Sequence, residues 1–499
     1  MKNMLFKDLL TQGLEANLQR WNPWWQDKPQ PTLPPFRRWA FSTAIKRLRT
    51  GPAKGTVLTG PRQVGKSTLM RQIIQTLLDE DTNPKHIFHV PFDELEEFSK
   101  FKTEDPIIRL SDWFERRILQ KTFNEAAREG KLVYLFLDEV QNLERWAPQL
   151  KNLVDTSDVR VMVTGSSALR IELGRDSLAG RISTLQMGPL FLREIIGIRD
   201  EGDIKPFLAN DDLSGLKNKE FWLALRKFGE ENKSLRDQAF TAFSQRGAYP
   251  VAHADKDRPW SELSDFLNET VIKRAIQHDL RFGRKGARRD EHLLEEVFRL
   301  SCRYIGQSPS QALYMDEIRR ALTGNIGWQR ILTYLKFLDG TLLIRLVEPL
   351  ELRLKKKRSP PKLCLCDHSL RASWLQEIVP IDPEGLNQQE HLRDIAGRIA
   401  ESAAGYYLKS LANLDVAHFP ERSAEPEVDF VLTIGEQRIP LEVKYRARIT
   451  WEDTRGLRSF IEKAVYNAPF GVLVTLTDEV ATDDPRLVSI PLSTLLLMR

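Results

Sequence analysis

The chain has 499 residues, three cysteines and a formal net charge of +5, with 41% hydrophobic and 29% charged residues. That length exceeds what one hydrophobic core supports and calls for three or four domains. Three cysteines exclude a disulfide scaffold and fit a reducing compartment, and the small net charge does not by itself indicate nucleic acid, so any such role rests on local clusters.

Lys7 and Asp8 interrupt the apolar residues at the N-terminus, so no export signal is read there. No run approaches the ~20 apolar residues of a membrane helix, and a cytoplasmic protein without a membrane partner is expected. Residues 1–50 form a first segment in which Trp21, Trp24 and Trp25 precede Pro29, Pro31, Pro34 and Pro35. The prolines predict an extended arm whose tryptophans pack on the next domain. Residues 51–200 then alternate short apolar strands (56–59, 86–90, 132–137 and 159–164) with helical stretches. Their nearly continuous apolar character predicts parallel strands covered on both faces of an α/β domain. Residues 201–290 read as a helical, polar connector or lid.

Residues 291–380 predict helices at 292–304, 315–322 and 328–338, then strands at 342–347, 350–354 and 362–366. Three helices followed by a β-hairpin is the winged-helix order. One basic cluster precedes it, Lys273, Arg274, Arg281, Arg284, Lys285, Arg288 and Arg289, and a second forms a turn within it, Lys355, Lys356, Lys357 and Arg358. With Arg330 and Lys336 on the third helix, they are the candidate DNA contacts. Cys364 and Cys366 share one strand face with no second ligand pair, so burial is expected rather than zinc. The last segment, 381–499, predicts a helix and then β-β-helix-β.

Gly60-Pro61-Arg62-Gln63-Val64-Gly65-Lys66-Ser67, followed by Thr68, fits the phosphate-loop spacing between a strand and an amphipathic helix. Backbone N–H groups of such a loop point at phosphate, and the helix N-terminus adds its positive dipole. Lys66 then reaches the β- and γ-phosphates of ATP, and the Ser67 hydroxyl ligates Mg²⁺. The strand 132–137 delivers Asp138 to hold the magnesium and Glu139 to act as general base. Ser166, after the next strand, is positioned to sense nucleotide, and Arg181 is a candidate cation for the γ-phosphate of a neighbouring subunit.

These motifs, with Thr-Gly-Ser-Ser at 164–167, Gly180-Arg181, and Pro189-Leu190 with Glu194, resemble the prokaryotic AAA+ ATPases of the archaeal-ATPase and origin-recognition-like group. Arg-Gly-Ala-Tyr-Pro at 246–250 and Pro361-Lys362 leading to Asp367 are similar to the C-terminal region such ATPases carry. The resemblance implies a P-loop AAA+ parallel-sheet core and homo-oligomeric assembly.

Near the C-terminus, Asp429 and the run Glu442-Val443-Lys444 lie on two predicted strands. This arrangement resembles the PD-(D/E)XK nuclease superfamily. Alternation puts Glu442 and Lys444 on one face, two carboxylates suit Mg²⁺, and Lys444 would stabilise developing charge. Glu401 matches a further acidic ligand of that superfamily. The expected function is a DNA-processing ATPase using ATP and Mg²⁺, with an α/β nuclease-like domain that cleaves DNA, including branched DNA. The alternative is a nucleotide-dependent signalling switch with protein-binding C-terminal modules.

Overall fold

The computed structural model describes residues 10–93, 105–143, 145–165, 178–208, 212–278, 290–322, 326–351, 359–421, 425–480 and 482–499. The chain divides into two compact units, Met1–Met187 and Gly188–Arg499.

The first unit is built on five parallel strands: β1 (Gly55–Thr59), β2 (Ile87–Pro91), β3 (Tyr134–Asp138), β4 (Arg160–Gly165) and β5 (Ile182–Gln186). Their order is β2-β3-β4-β1-β5, the parallel core expected of a P-loop AAA+ fold. Alternation sorts the side chains. Val57, Val90, Leu135, Leu137, Val161 and Val163 join one core with Leu14, Leu18, Leu110, Phe114, Leu150 and Leu153 from three helices. The helices Ala40–Thr50 and Lys66–Asp79 also pack against the sheet, so both faces are covered and the strands can be apolar throughout.

The tryptophan segment is folded rather than extended: Gln12–Trp21 is an α-helix and Pro23–Gln26 a 3₁₀ turn. It closes the free edge of β2. The buried Asn22 side chain donates to His89 O at 2.8 Å and accepts from His89 N at 2.7 Å. Trp24 and Trp25 both donate their indole N–H to Ile87 O, at 3.1 and 2.9 Å. An edge strand leaves a row of unpaired backbone groups, and these side chains satisfy three of them. Trp25 also packs against Phe88 and Phe114, with ring centroids 5.7 Å away in each case.

The second unit begins with helices at Leu192–Ile198, Lys219–Glu231, Lys233–Arg246 and Trp260–Leu267. Glu291–Arg303, Gln311–Ala321 and Trp328–Gly340 follow. An antiparallel pair comes next, β6 (Ile344–Val347) with β7 (Lys362–Leu365). The last sheet has order β12-β11-β10-β9-β8, made of β8 (Asp415–Phe419), β9 (Val428–Ile434), β10 (Gln437–Lys444), β11 (Gly471–Thr475) and β12 (Leu487–Pro491).

Of the second hairpin strand expected at 350–354, residues 352–354 lie outside the described residues. Pro349 has no backbone N–H, and Leu350 N donates to His418 O of β8 at 2.7 Å. The C-terminal sheet also has β8 and β12 as outer strands, which the β-β-helix-β reading did not include. The sequence boundaries at 290 and 380 fall inside one compact unit, because its segments interlock. The Asp367 carboxylate accepts from Ala248 N at 2.5 Å and Ser369 N at 2.9 Å. Gly247, at φ +76°, passes so close that a Cβ would lie 2.4 Å from Asp367 Oδ1. The Arg-Gly-Ala-Tyr-Pro and Pro-Lys…Asp motifs therefore meet in space. Cys302, Cys364 and Cys366 are buried free thiols. No helix among the described residues is long and apolar enough to cross a membrane.

His89 provides a pH test of the first unit. Burial, with the Arg71 charge added, lowers its pKa to about 4. A histidine held neutral in the fold contributes stability above its unfolded value of about 6.5, lost as pH falls toward 4. At pH 5 that loss is about 2 kcal/mol from His89 alone. Urea unfolding at pH 7 and pH 5 should show His89→Gln losing about 2 kcal/mol less than the parent over that interval; equal losses would show that His89 is not the group.

Candidate functional site

The phosphate loop leaves β1 at Thr59 and is shaped by two glycines. A Cβ at Gly60 would lie 2.0 Å from Met187 O, so only glycine permits that approach. Gly65 has φ +93°, the left-handed turn from which the helix Lys66–Asp79 starts. That helix holds the loop through its buried face, Leu69, Met70, Ile73, Ile74 and Leu77. Within the loop, Val64 is buried and Gln63 adopts φ +63°. Pro61, Arg62 and Thr68 lie in the same turn and first helical residues.

Lys66 is only 4% exposed. Its ammonium donates to Gly60 O at 3.1 Å and Pro61 O at 2.8 Å and lies 3.9 Å from Glu139 Oε1. The loop is braced from the proline segment. Arg38 donates to Val64 O at 2.5 Å, and Gln72 donates to Pro34 O and Phe36 O at 2.7 and 2.9 Å.

Strand register brings the acids to this loop. Thr59 of β1 pairs with Gly165 of β4, and Leu137 of β3 with Val163 of β4. Asp138 and Thr164 therefore fall side by side at the C-terminal edge, where α/β sheets bind ligands. The Thr164 hydroxyl donates to Asp138 Oδ1 and accepts from Glu139 N at 3.0 Å. Ser67 also hydrogen-bonds Asp138. Burial, with the charge of Glu139 added, raises Asp138 to about 6 against those two hydroxyl hydrogen bonds. A buried carboxylate whose ionised form is disfavoured, beside a serine hydroxyl, fits a hard divalent cation. Glu139 takes φ +53°, and Gln141 donates to its Oε2, which holds the proposed base in place.

The P-loop, Ser67, Asp138 and Glu139 are thus one cluster. Ser166 lies outside the described residues. Arg181 is elsewhere: it immediately precedes β5, whose Ile182 pairs with Gly55 at the N-terminal start of β1, so it sits at the sheet edge opposite the P-loop. Its guanidinium is 2.5 Å from Asp155 Oδ1. Thr164 and Arg38 are site residues the sequence reading missed. Thr164 was visible as the strand end one position from Gly165, but its role depends on register.

The C-terminal residues also converge. Asp429 on β9 accepts from Val443 N at 2.9 Å, and Glu442 on β10 accepts from Asp429 N at 3.4 Å and from Lys444 at 2.6 Å. Glu401 comes from the helix Arg393–Ser410. Burial, with the negative charge of Asp429 added, pushes Glu442 up to about 8. The cation among these carboxylates is Lys362 of β7, 2.9 Å from Asp429 Oδ1 and hydrogen-bonded to Glu401. Among the described residues, no group of three or more His, Cys, Asp and Glu side chains is arranged to hold a metal.

Residues 53–196 match the family described as an AAA domain, and residues 396–495 match a domain of unknown function, DUF4143. An uncharacterized protein of Methanocaldococcus jannaschii is 26% identical over 300 residues, covering 59% of this chain and 54% of that protein. The chain thus spans about half the length of that relative. An uncharacterized protein of Haemophilus influenzae is 23% identical over 405 residues, covering 80% of this chain and 85% of that protein. Among solved structures, the chain is similar to the Walker-type ATPase of Pyrococcus abyssi (13% identity, TM-score 0.42, 70% of this chain and 99% of that one). It is also similar to Cdc6p of Pyrobaculum aerophilum (12% identity, TM-score 0.25, 70% and 96%). The segment 53–196 matches the AAA domain family, and the P-loop, Asp138 and Glu139 all lie inside it.

The roles separate by mutation. Lys66→Ala should abolish measurable ATP binding. Glu139→Gln should keep nucleotide affinity within a few-fold while slowing hydrolysis by about 100-fold or more, the usual size of a general-base effect. Equilibrium binding and single-turnover hydrolysis check this, and equal loss of affinity in both variants would show the roles to be misassigned.

Proposed function

We propose that the chain is a homo-oligomeric AAA-type ATPase that couples Mg²⁺-dependent ATP hydrolysis to the remodelling of DNA. Lys66 is assigned to the β- and γ-phosphates, Ser67 and Asp138 to the cation, and Glu139 to the proton of the attacking water, with Gln141 and Thr164 fixing the two acids. When bound there, Mg²⁺ supplies neutralisation of phosphate charge. Arg181 sits too far from its own P-loop to serve it, since five strand residues at about 3.3 Å each separate the two sheet edges. Its assignment is therefore to a neighbouring subunit's γ-phosphate, after release from Asp155.

The observation that carries the DNA reading is the outer face of the third helix, Trp328–Gly340. Ile331, Leu335 and Leu338 are fully buried, while Gln329, Arg330, Thr333 and Lys336 are exposed. Three helices ahead of a two-stranded antiparallel pair, with such a face on the third, suit a winged helix in the major groove. Arg330 is held 3.3 Å from Asp290, a pair that phosphate or a base edge could exchange. The turn 355–358, and the residues of the first basic cluster from Arg281 onward, lie outside the described residues. DNA cleavage would need a divalent cation at Asp429 and Glu442, and the lysine pairs there stand against it, so the C-terminal sheet is assigned to holding rather than cutting.

DNA should stimulate ATP hydrolysis and bind with a steep salt dependence. Lys336→Ala should make the log–log salt slope shallower by about 0.9, one phosphate contact. Arg330→Ala should weaken binding by about 1–3 kcal/mol if it reads a base. Fluorescence anisotropy across a salt series measures both. Affinity and slope unchanged in the double variant, with hydrolysis indifferent to DNA, would favour the protein-binding switch instead.

A further inference from the structure

Lys362 is 1% exposed and is the first residue of β7. Its ammonium has three carboxylates around it: Asp429 Oδ1 at 2.9 Å, Glu401 Oε1 in direct hydrogen bond, and Glu427 Oε1 at 3.4 Å. The Phe430 ring lies 5.2 Å away. Glu442 has its own cation, Lys444, at 2.6 Å. The remaining oxygens of Asp429 and Glu442 are also used, since Asp429 Oδ2 accepts from Val443 N at 2.9 Å and Glu442 Oε2 from Asp429 N at 3.4 Å.

A buried charge survives only when paired and hydrogen-bonded. Asp429, Glu401 and Glu427 supply that pairing for the buried Lys362 ammonium. These are the carboxylates a divalent ion would use. An ion needs their oxygens bare at 2.0–2.6 Å, and an ammonium on the same oxygens would repel it at close range in a water-poor site.

We propose that Lys362 is the resident cation of the C-terminal acidic cluster, a built-in replacement for a metal ion that also ties β7 to β9 and to the helix Arg393–Ser410. The domain then keeps a nuclease-like arrangement of Asp429, Glu442 and Lys444 while excluding Mg²⁺ and Mn²⁺. Removing the ammonium should uncover a divalent site. This inference does not depend on the DNA reading, and its test reads metal rather than nucleic acid.

The test uses the full chain carrying Asp138→Asn, which removes the carboxylate of the nucleotide site, without nucleotide. Mn²⁺ binding is followed by calorimetry and by the electron-spin resonance of the bound ion. With Lys362 in place, millimolar Mn²⁺ should neither bind at Asp429 nor raise the melting temperature. Lys362→Met should bind Mn²⁺ at least tenfold more tightly, and adding Asp429→Asn should abolish that gain. Lys362→Arg, which retains a cation, should behave as the parent. Asp429-dependent Mn²⁺ binding in the parent would overturn the proposal, as would a folded Lys362→Met that binds none. If Lys362→Met does not fold, the parent and Lys362→Arg decide: metal binding through Asp429 in either overturns the proposal. Its absence from both, with the fold lost only when the cation is removed, upholds it.

Discussion

The candidate nucleotide site depends on one buried carboxylate. Asp138 is 3% exposed at the end of an apolar strand, a position where a lone charge is costly. The structure answers that cost with hydroxyls: Thr164 from the adjacent strand and Ser67 from the loop helix. The Thr164 hydroxyl also takes the N–H of Glu139, so the residue that holds one acid orients the backbone of the other. Parallel register is what makes this possible, because it places the ends of β1, β3 and β4 on one edge.

The same logic of charge satisfied by fixed neighbours recurs at the C-terminal sheet, with the opposite consequence. At Asp138 the partners are neutral hydroxyls, which leave the carboxylate free to accept a cation. At Asp429 the partner is an ammonium, which already is the cation. On the proposed assignments, one acidic site of the chain takes an exchangeable ion and the other is permanently neutralised. Replacing or breaking a buried ion pair has different energetic signs, and Lys362 is the residue on which that distinction turns.

The sequence made some of this legible because the signals are local. The phosphate loop is one contiguous run, and Asp138-Glu139 follow an apolar strand, so both could be read without knowing neighbours. The helices around 291–340 were likewise visible from their apolar spacing. What escaped reading depends on distant pairing. Asn22 caps the edge of β2 67 residues away, and Lys362 meets Asp429 across another 67 residues. Pro349 redirects the chain after β6 to β8, a choice set by where the C-terminal sheet presents an open edge. The tryptophan arm was expected to be extended because of Pro29, Pro31, Pro34 and Pro35, yet these follow the folded Trp21–Trp25 turn, in which Pro23 opens the 3₁₀ helix.

The central claim is that Asp138, held by Thr164 and Ser67, is the carboxylate through which this ATPase domain senses its divalent ion. The most direct test is the Mg²⁺ dependence of ATP affinity in the parent and in Asp138→Asn, measured by equilibrium binding. The account predicts that Mg²⁺ tightens ATP binding in the parent and that Asp138→Asn loses most of that enhancement while still binding nucleotide through Lys66. An Asp138→Asn variant whose affinity rises with Mg²⁺ as steeply as the parent's would contradict it.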